Sequence, residues 1–451
     1  MLDSQIFKAN DIRGIFGEQW DAHGAWALGV AYAQVTGEPK VVVGRDMRTS
    51  GFEVRDEFVR GLAGSGVSVV DVGLASTDGL WFASGLLDLP GVQITSSHNP
   101  SSYNGMKFCV RGAKPVTKAF LAQLKQAAQD VDAGRVPNPQ AAVPGTVESR
   151  DIIDDYARYL LSLVDLSGMK PITVVVDAGN GMGGLIAPAV LSQVNVEIVG
   201  LYMDLDGRFP NHQPNPLEPK NLVDAREAVR SSGADVGLVF DGDADRVFVI
   251  DEHGQVVPPS AIAAMIAVDE LQREPGATIV VNTIVSDAVA EIVAEHGGHV
   301  VVSNVGHTYM KALMASQNAI FGGEHSAHYY FRDFFGADSG MLAALHVLAA
   351  IGRSDEPLSE LVKSLTRYTA SGEINSVVAD QQAAMKNVAG SLGQGAQVQW
   401  GDGVKIIGDS WWVSLRPSNT EPLLRLNVEA RDPQTMEKLR DTVLTLIKED
   451  T

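Results

Sequence analysis

Hydrophobic and polar positions repeat in blocks along most of the chain: a short apolar run, a turn of small residues, then a stretch with helical spacing. The apolar runs predict a short buried strand at residues 41–43 and further strands at residues 67–70, 92–94, 172–176, 196–201, 236–240 and 277–281. Helical spacing predicts helices at residues 52–62, 120–131 and 287–295, and directly after Gly184. Strands that alternate with helices of this length are typical of parallel sheets with crossover helices, the α/β class.

The last part of the chain has a different pattern. Apolar runs at 411–415 and 423–428 are followed by one helix near 435–448, which predicts a smaller α+β unit. The chain has 451 residues, more than the ~250–300 at which a single core stops growing. Turn-like clusters divide the chain into four predicted domains, at residues 1–143, 144–253, 254–368 and 369–451.

Composition and charge narrow the class of protein. The net charge is −20, which argues against nucleic acid as a partner, because binding nucleic acid needs a basic face. The first five residues carry no basic or apolar segment of a secretory signal, and the apolar stretch 341–351 is too short for a bilayer of ~30 Å. The single cysteine, Cys109, precludes an internal disulfide. We therefore predict a cytoplasmic protein that binds neither membrane nor nucleic acid.

The segment TSSHNP at residues 95–100 follows a predicted buried strand. Its Asn-Pro pair turns the chain out of regular structure. A serine hydroxyl at a strand end beside an imidazole is suitably placed for phosphoryl or acyl transfer. The absence of a surrounding G-x-S-x-G motif argues against acyl transfer. Taken alone, the segment is more typical of a solvated turn than of a catalytic site.

The segment DGDADR at residues 241–246 joins two predicted strands and places three carboxylates in one tight loop. Such oxygen clusters bind Mg²⁺ or Ca²⁺. The spacing also fits an EF-hand, with Glu252 at the twelfth position. However, Arg246 stands where that loop needs glycine, and the flanks are strands, so we predict a metal loop of another kind.

Three further segments allow more than one interpretation. GNGMGG at 179–184 fits a dinucleotide-binding pattern, but a lone match is weak and glycines also serve close packing. RPSNTEP at 416–422 predicts either an anion-binding nest or a polar hairpin. GEHSAH at 323–328 offers groups that hydrogen-bond sugar hydroxyls, and His307 is either a ligand contact or a helix cap. Cations at Lys8, Arg13 and residues 44–50 lie near predicted strand ends, where ligands bind in α/β sheets.

The motifs occur in a fixed order along the chain. They are DIRG (11–14), TSSHNP, YNGMK (103–107), DGRFP (206–210), PNP (214–216), DGDADR, GEHSAH and RPSNTEP. In this order they resemble the α-D-phosphohexomutase superfamily, and the resemblance covers essentially the whole chain. It implies four domains around a central cleft: three related α/β mixed-sheet domains and a smaller C-terminal α+β domain.

The resemblance also implies a mechanism. Ser97 is expected to carry a phosphoryl group, to give it to a hexose monophosphate and so form a hexose 1,6-bisphosphate, and then to take back the other phosphoryl group. Asp241, Asp243 and Asp245 are expected to hold Mg²⁺, with the Ser97 phosphate as a further ligand. The bisphosphate is the expected activator and a hexose phosphate the expected partner, while monomer and homodimer both stay open.

The resemblance extends to other positions of the cleft. Lys107 and Arg13 resemble the family's general acid/base and electrostatic residues, and Lys107 would need a lowered pKa to act as a base. His98 is expected to orient or stabilise the phosphoserine. The expected substrate contacts are Arg246, His307, Glu324, Ser326, His328, Arg416, Ser418, Asn419, Thr420 and Arg425. Two segments depart from the family pattern: Asn10 replaces a common aromatic residue, and residues 282–286 lack a lysine.

The sugar loop at 323–328 resembles the phosphomannomutase and dual phosphomannomutase/phosphoglucomutase subgroup. Phosphoglucosamine mutases resemble the chain less, because they usually have glycine where Asn419 stands. We expect interconversion of mannose 6-phosphate and mannose 1-phosphate, which would feed GDP-mannose synthesis, with glucose phosphates as secondary substrates. Phosphoglucomutase and phosphoglucosamine mutase remain alternatives, because one sugar hydroxyl is worth only ~1–3 kcal/mol. A metal-dependent sugar phosphatase is the alternative from another class.

Overall fold

The computed structural model describes residues 2–136, 139, 141–417 and 423–449. Strands within these ranges form four sheets, and each of the first three sheets mixes parallel and antiparallel pairs. This arrangement confirms the predicted fold class, three α/β domains followed by a smaller α+β domain. No helix in the described ranges is both long enough and apolar enough to span a bilayer.

The first domain contains β1 (Ile12–Ile15), β2 (Lys40–Arg45), β3 (Ser68–Leu74), β4 (Gly91–Ile94), β5 (Tyr103–Val110), β6 (Lys114–Pro115) and β7 (Val147–Ser149). Its helices are α1 (Ala22–Thr36), α2 (Gly51–Gly64), α3 (Thr77–Leu87) and α4 (Lys118–Asp132). The strand order is β1-β5-β4-β2-β3-β7, with β6 beside β5. Strand β2 is almost wholly buried because helices cover the sheet, which explains its continuous apolar run.

The second domain contains α5 (Ile153–Leu163), β8 (Ile172–Asp177), α6 (Gly183–Leu191), β9 (Val196–Leu201), α7 (Val223–Ser232), β10 (Val236–Phe240), β11 (Val247–Asp251) and β12 (Val256–Val257). Its strand order is β12-β11-β10-β8-β9. Strands β9 and β10 have the bounds predicted from the apolar runs. Short 3-10 helices lie at Ser4–Ile6, Arg111–Ala113 and Pro219–Leu222.

The third domain contains α8 (Pro259–Arg273), β13 (Thr278–Asn282), α9 (Asp287–Glu295), β14 (His299–Ser303), α10 (His307–Gln317), β15 (Phe321–Gly323), β16 (Tyr329–Phe331), β17 (Ala337–Asp338), α11 (Gly340–Arg353) and α12 (Leu358–Lys363). Its strand order is β14-β13-β15-β16-β17. The fourth domain contains β18 (Thr369–Ala370), β19 (Ile374–Val377), α13 (Gln381–Leu392), β20 (Gln397–Trp400), β21 (Val404–Ile407), β22 (Trp411–Pro417), β23 (Leu423–Ala430) and α14 (Pro433–Glu449). Its sheet is antiparallel in every described pair.

Apolar packing joins the first three domains and separates the fourth. One continuous core cluster includes Trp81 of the first domain, Val174 of the second and Phe321 of the third. The fourth domain has its own cluster, drawn from residues 378–447. The predicted boundaries stay predictions, although β7 and β12, just beyond two of them, pair with the sheets that precede them.

The three loops with predicted functional roles, residues 95–100, 241–246 and 323–328, occupy equivalent positions in the first three domains. Each loop leaves the carboxyl end of a strand with a parallel neighbour and returns in an antiparallel one, from β4 to β5, from β10 to β11 and from β15 to β16. Each contains one non-glycine residue with left-handed backbone, namely Ser97 (φ 48°), Ala244 (φ 60°) and Ala327 (φ 63°). Such backbone costs about 1–3 kcal/mol and accumulates at functional sites.

Candidate active site

The serine loop presents Ser97, the predicted carrier of the phosphoryl group, to the predicted metal loop of the second domain. The Ser97 Oγ donates to Asp241 Oδ2 at 2.9 Å and lies 3.2 Å from His98 Nδ1. The Ser97 N–H donates to Thr95 Oγ1 at 2.9 Å, which helps to fix the left-handed turn. Strand β4 delivers this loop, and strand β10 delivers Asp241. The structure therefore brings together two motifs that lie far apart in the sequence.

The three aspartates of DGDADR form one oxygen cluster. One carboxylate oxygen from each of Asp241, Asp243 and Asp245 lies within 4.8 Å of the others, and all three residues are buried. Asp243 Oδ1 and Asp245 Oδ1 are buried without a hydrogen-bond partner among the described residues. Buried carboxylate oxygens with no donor are costly unless a cation is bound. This donor set fits a hard divalent metal ion such as Mg²⁺.

Lys107 is the cation that lies on this cluster. Its Nζ donates to Asp243 Oδ2 at 2.7 Å and to Asp245 Oδ2 at 2.5 Å. Burial acts to lower the pKa of Lys107, but the attraction of the two carboxylates outweighs it and the pKa is raised. Lys107 would need a lowered pKa to act as a base, and its pKa is instead raised, because the nearest charges to the amine are anions.

Arg246 and His98 complete the surroundings of Asp241. Arg246 Nε and Nη2 both donate to Asp241 Oδ2, at 3.0 and 2.9 Å, and Nη2 lies 2.6 Å from His98 Nδ1. Burial and the positive charge of Arg246 lower the pKa of His98 well below its ordinary value. A neutral imidazole accepts at Nδ1 from Arg246 Nη2, whereas the single hydroxyl hydrogen of Ser97 goes to Asp241, so the role of His98 towards the phosphoserine stays a prediction. Arg246 is bound to these two groups, and its contact with substrate stays a prediction.

A cavity of about 760 Å³ opens beside these loops. Seven cationic residues line it against four carboxylates, which makes this cleft basic on an acidic protein. The cations are Lys8, Arg13, Lys107, Lys118, Lys311, Arg416 and Arg425, and the carboxylates are Asp11, Asp245, Asp338 and Asp402. Arg13 donates to Asp11 Oδ2 at 2.8 Å and to Asn99 Oδ1 at 3.0 Å, so it connects the first motif to the serine loop.

The predicted sugar contacts differ in whether they line the cavity: His307 and His328 do, whereas Glu324 and Ser326 are not among its lining residues. His328 and His307 line the cavity, and burial lowers their pKa values to about 4 and about 3. Ser326 Oγ lies 3.1 Å from His328 Nδ1. Glu324 is buried and accepts hydrogen bonds from Tyr330 OH at 2.6 Å and from Asn282 Nδ2 at 3.0 Å. His307 is the first residue of α10, whose N-cap is Gly306, so the helix-cap interpretation is wrong and its contact with a ligand stays a prediction.

The fourth domain contributes two arginines to the cavity wall. Arg416 Nη2 lies 3.4 Å from Glu373 Oε2, and Arg425 Nη1 lies 3.8 Å from Glu373 Oε1. Both guanidinium groups face the cleft at the end of the β22–β23 pair. Ser418, Asn419 and Thr420, which were predicted to share this role, lie outside the described residues.

Sequence reasoning missed the support beneath the metal loop. Thr77 Oγ1 donates to Asp243 Oδ2 at 2.6 Å, and the Thr77 N–H donates to the Asp243 carbonyl at 2.9 Å. The adjacent Asp78 accepts from Ser76 Oγ, from Tyr156 OH at 2.7 Å and from Ser339 Oγ at 2.6 Å. The start of α3 thus binds the second and third domains at once. The only sequence signal was a Ser-Thr-Asp helix start after a strand.

Replacing Asp78 with asparagine is expected to change how stability depends on pH. Burial raises the pKa of Asp78 from 3.8 to about 6, although its three hydroxyl donors act against the shift. Because the folded-state pKa exceeds the unfolded one, the protonated carboxyl favours folding below pH ~4, and this contribution is lost as pH rises through about 6. The shift corresponds to about 3 kcal/mol.

The stability of the wild type relative to the Asp78→Asn variant should therefore fall between pH ~4 and ~7. Urea unfolding followed by tryptophan fluorescence across this range measures the difference. Asp154→Asn is the matched control, because Asp154 is exposed on α5, the helix that supplies Tyr156. A difference that stays constant with pH would mean that Asp78 titrates alike in the folded and unfolded states.

The GNGMGG segment has a packing role. A Cβ at Gly184 would lie 2.0 Å from the Met203 carbonyl oxygen, and one at Gly181 would lie 2.7 Å from the Gly242 carbonyl oxygen. The two glycines thus allow close backbone approach within the second domain. The DGDADR loop joins an antiparallel strand pair, not two helices, which agrees with the rejection of an EF-hand.

Four family models match the chain in sequence order. They describe the alpha/beta/alpha domains I, II and III and the C-terminal domain of phosphoglucomutase/phosphomannomutase, over residues 4–135, 154–254, 258–368 and 373–446. A phosphomannomutase of Salmonella typhimurium is 37% identical over 100% of both chains. A phosphomannomutase/phosphoglucomutase of Pseudomonas putida is 34% identical over 98% of this chain and 96% of its own.

Solved structures agree with these matches. A phosphoglucomutase/phosphomannomutase family protein from Burkholderia thailandensis superposes with a TM-score of 0.91 at 31% identity, over 100% of this chain and 98% of its own. The parafusin phosphoglucomutase of Paramecium shares the fold, with a TM-score of 0.77 at 17% identity over 94% of this chain and 91% of its own. The chain belongs to the phosphoglucomutase/phosphomannomutase family, which confirms the predicted resemblance and the predicted enzyme class, intramolecular phosphotransferase.

Proposed function

We propose that this enzyme interconverts mannose 6-phosphate and mannose 1-phosphate through a phosphoserine at Ser97. The observation that carries the proposal is the contact between Ser97 Oγ and Asp241 Oδ2 at 2.9 Å, at the edge of a cluster of three buried carboxylates. Phosphoryl transfer depends on positioning and on charge neutralisation, and this cleft offers both. The relatives named phosphomannomutase support mannose as the sugar.

The reaction has two half-reactions that balance. In the first, a sugar hydroxyl oxygen bonds to the phosphorus on Ser97, the bond from Ser97 Oγ to phosphorus breaks, and the hydroxyl proton leaves the sugar as Oγ regains one. In the second, the other phosphate of the hexose 1,6-bisphosphate returns to Ser97 by the reverse path. Lys107 and Arg13 both line the cleft. Lys107 is the general acid/base, and Arg13 stabilises the charge on the phosphoryl group.

We propose Mg²⁺ as the metal, held by Asp241, Asp243 and Asp245 together with the Ser97 phosphate. The ion would neutralise the phosphoryl oxygens and the two carboxylates that hold the pKa of Lys107 high. Asp241 orients the serine hydroxyl, Arg246 fixes Asp241, and His98 accepts at Nδ1. Hexose 1,6-bisphosphate is the proposed activator because it can rephosphorylate Ser97.

Comparison of kcat/KM for mannose 1-phosphate, glucose 1-phosphate and glucosamine 1-phosphate tests the substrate. We expect mannose first, glucose within about tenfold to a hundredfold, and glucosamine last, because the sugars differ by single groups worth ~1–3 kcal/mol. A strong preference for glucosamine 1-phosphate would contradict the proposal. Release of inorganic phosphate at the same rate as isomerisation would favour the phosphatase alternative.

Replacing Arg416 with alanine is expected to raise KM for hexose phosphates by about tenfold to a hundredfold, the loss of a charged hydrogen bond worth ~1.5–3 kcal/mol. Arg416 lines the cavity from the fourth domain, 3.4 Å from Glu373, and a substrate phosphate would compete for its guanidinium. Steady-state kinetics measure the effect. Arg440→Ala is the control, because Arg440 pairs with Asp441 on α14. An unchanged KM would mean that the phosphate binds elsewhere.

A further inference from the structure

Arg48 has an arrangement of hydrogen bonds that substrate binding does not explain. Its side chain is fully buried. Nη1 donates to the carbonyl oxygens of Pro100 and Tyr103, at 2.7 and 2.8 Å, and Nη2 donates to those of Ser97 and Asn99, at 2.8 and 2.7 Å. Three of the four acceptors lie in the connection between β4 and β5, and the fourth, Tyr103, is the first residue of β5. One guanidinium group thus binds the serine loop and the start of the next strand at four points, because its planar group carries several N–H donors.

The serine loop needs such support because Ser97 has a left-handed backbone, with φ at 48°. This conformation costs about 1–3 kcal/mol for a residue other than glycine. The bond from Arg48 Nη2 fixes the Ser97 carbonyl, and Thr95 Oγ1 fixes its N–H. A rotation of either peptide plane would turn Ser97 Oγ away from Asp241. The clamp therefore acts on the direction of the nucleophile.

Arg48 is itself held in one position from two domains. Its backbone N–H donates to Asp46 Oδ1 at 3.0 Å, and its Nε lies 3.3 Å from Asp46 Oδ2. The ring centroid of Phe209, from the DGRFP motif, lies 5.3 Å from the guanidinium carbon. A Cβ at Gly207 would lie 2.6 Å from Arg48 Cα, so the motif packs directly on this residue. These contacts indicate a structural role for the DGRFP motif, which is to pack against Arg48.

We propose that Arg48 is a positioning residue for phosphoryl transfer, which holds Ser97 Oγ in line between the metal cluster and the substrate. The inference rests on the proposed function. Arg48 does not line the cavity, whereas Arg13, Arg416 and Arg425 do. Its loss should therefore lower the rate of transfer and leave substrate affinity nearly intact, because displacement of a reacting atom by ~1 Å costs about a hundredfold.

The test compares Arg48→Met and Arg48→Lys with the control Arg55→Met. Arg55 is a half-buried arginine of α2 in the same domain, and its ion pairs are with Asp56 and Asp71, neither of which lines the cavity. Dephosphorylated, Mg²⁺-loaded enzyme is mixed with hexose 1,6-bisphosphate, and phosphorylation of Ser97 is followed by intact mass. Steady-state kcat and KM, together with thermal unfolding, are measured on the same samples.

We expect Arg48→Met to lower kcat and the phosphorylation rate about a hundredfold, with KM within a fewfold of wild type. Arg48→Lys should recover stability but not the rate, because an ammonium group cannot reproduce four bonds in one plane. Arg55→Met should leave kcat unchanged, even where it lowers stability.

Near-native phosphorylation by folded Arg48→Lys would overturn the inference, even if Arg48→Met failed to fold. A parallel change in kcat and KM would overturn it as well. Failure of the wild type to become phosphorylated on Ser97 would instead contradict the proposed function itself.

Discussion

Replacing Ser97 with alanine is expected to lower turnover by roughly four orders of magnitude or more, the scale on which loss of a covalent nucleophile acts. The reason is chemical: alanine leaves no oxygen to carry the phosphoryl group between the two half-reactions. The predicted substrate contacts Arg416 and His307, which line the cleft, are left in place. The variant should therefore bind hexose phosphate with near-native affinity and still fail to isomerise it.

Ser96→Ala is the matched control for this experiment. It removes the same atom one position earlier, where Ser96 Oγ lies 3.3 Å from Asn99 Oδ1. Intact mass after incubation with hexose 1,6-bisphosphate should show one added phosphoryl group in wild type and Ser96→Ala but not in Ser97→Ala. Near-native turnover by Ser97→Ala would mean that another residue carries the phosphoryl group.

The sheets and the loop positions could be predicted from the sequence because they follow from local patterns. Short, mainly apolar runs of five or six residues predicted β9 and β10, and both have the predicted bounds. Turn residues placed the serine and aspartate loops at strand ends, where ligands bind in α/β sheets. Local patterns alone could not predict that Ser97 lies close to Asp241. The family resemblance predicted this proximity, and the structure shows it.

The support of these loops could not be predicted, because it depends on contacts between distant segments. Thr77 is an ordinary helix-start residue in the sequence, yet its hydroxyl lies 2.6 Å from Asp243. In the sequence Arg48 is only a cation near a predicted strand end, yet it binds three carbonyl oxygens of the serine loop and the carbonyl oxygen of Tyr103. The pairing of Lys107 with Asp243 and Asp245, which raises the pKa of the lysine, could not be predicted either, because the packing of two domains sets it.

The charges around Ser97 explain why a lysine cannot take the place of a metal ion. Asp241, Asp243 and Asp245 carry three negative charges, and Lys107 and Arg246 offset two of them. Phosphorylation of Ser97 would add about −1.5 to −2 at neutral pH. The phosphorylated site would then hold a net charge of about −3, buried away from water. A divalent cation offsets most of this charge, so metal affinity and phosphorylation should increase together.

Replacing Asp243 with asparagine is expected to lower kcat by about a thousandfold and to remove the stabilisation of the fold by Mg²⁺. Loss of metal-assisted charge stabilisation costs several kcal/mol, and ~4 kcal/mol corresponds to that factor. The asparagine oxygen can still accept the Thr77 hydroxyl, which donates to Asp243 at 2.6 Å, so we expect the variant to fold. Saturating Mg²⁺ should stabilise wild type by about 3 kcal/mol at a hundred times its dissociation constant.

Thermal unfolding with and without Mg²⁺ separates this loss of binding from a loss of structure. The Asp243→Asn variant should unfold at the same temperature under both conditions, whereas wild type should unfold higher with the metal. Asp204→Asn is the control, since Asp204 is exposed in the same domain and should behave as wild type. If Mg²⁺ still stabilised the Asp243→Asn variant, the metal would be bound by other ligands. Retained kcat in a variant without that stabilisation would mean that transfer from Ser97 needs no metal at this loop.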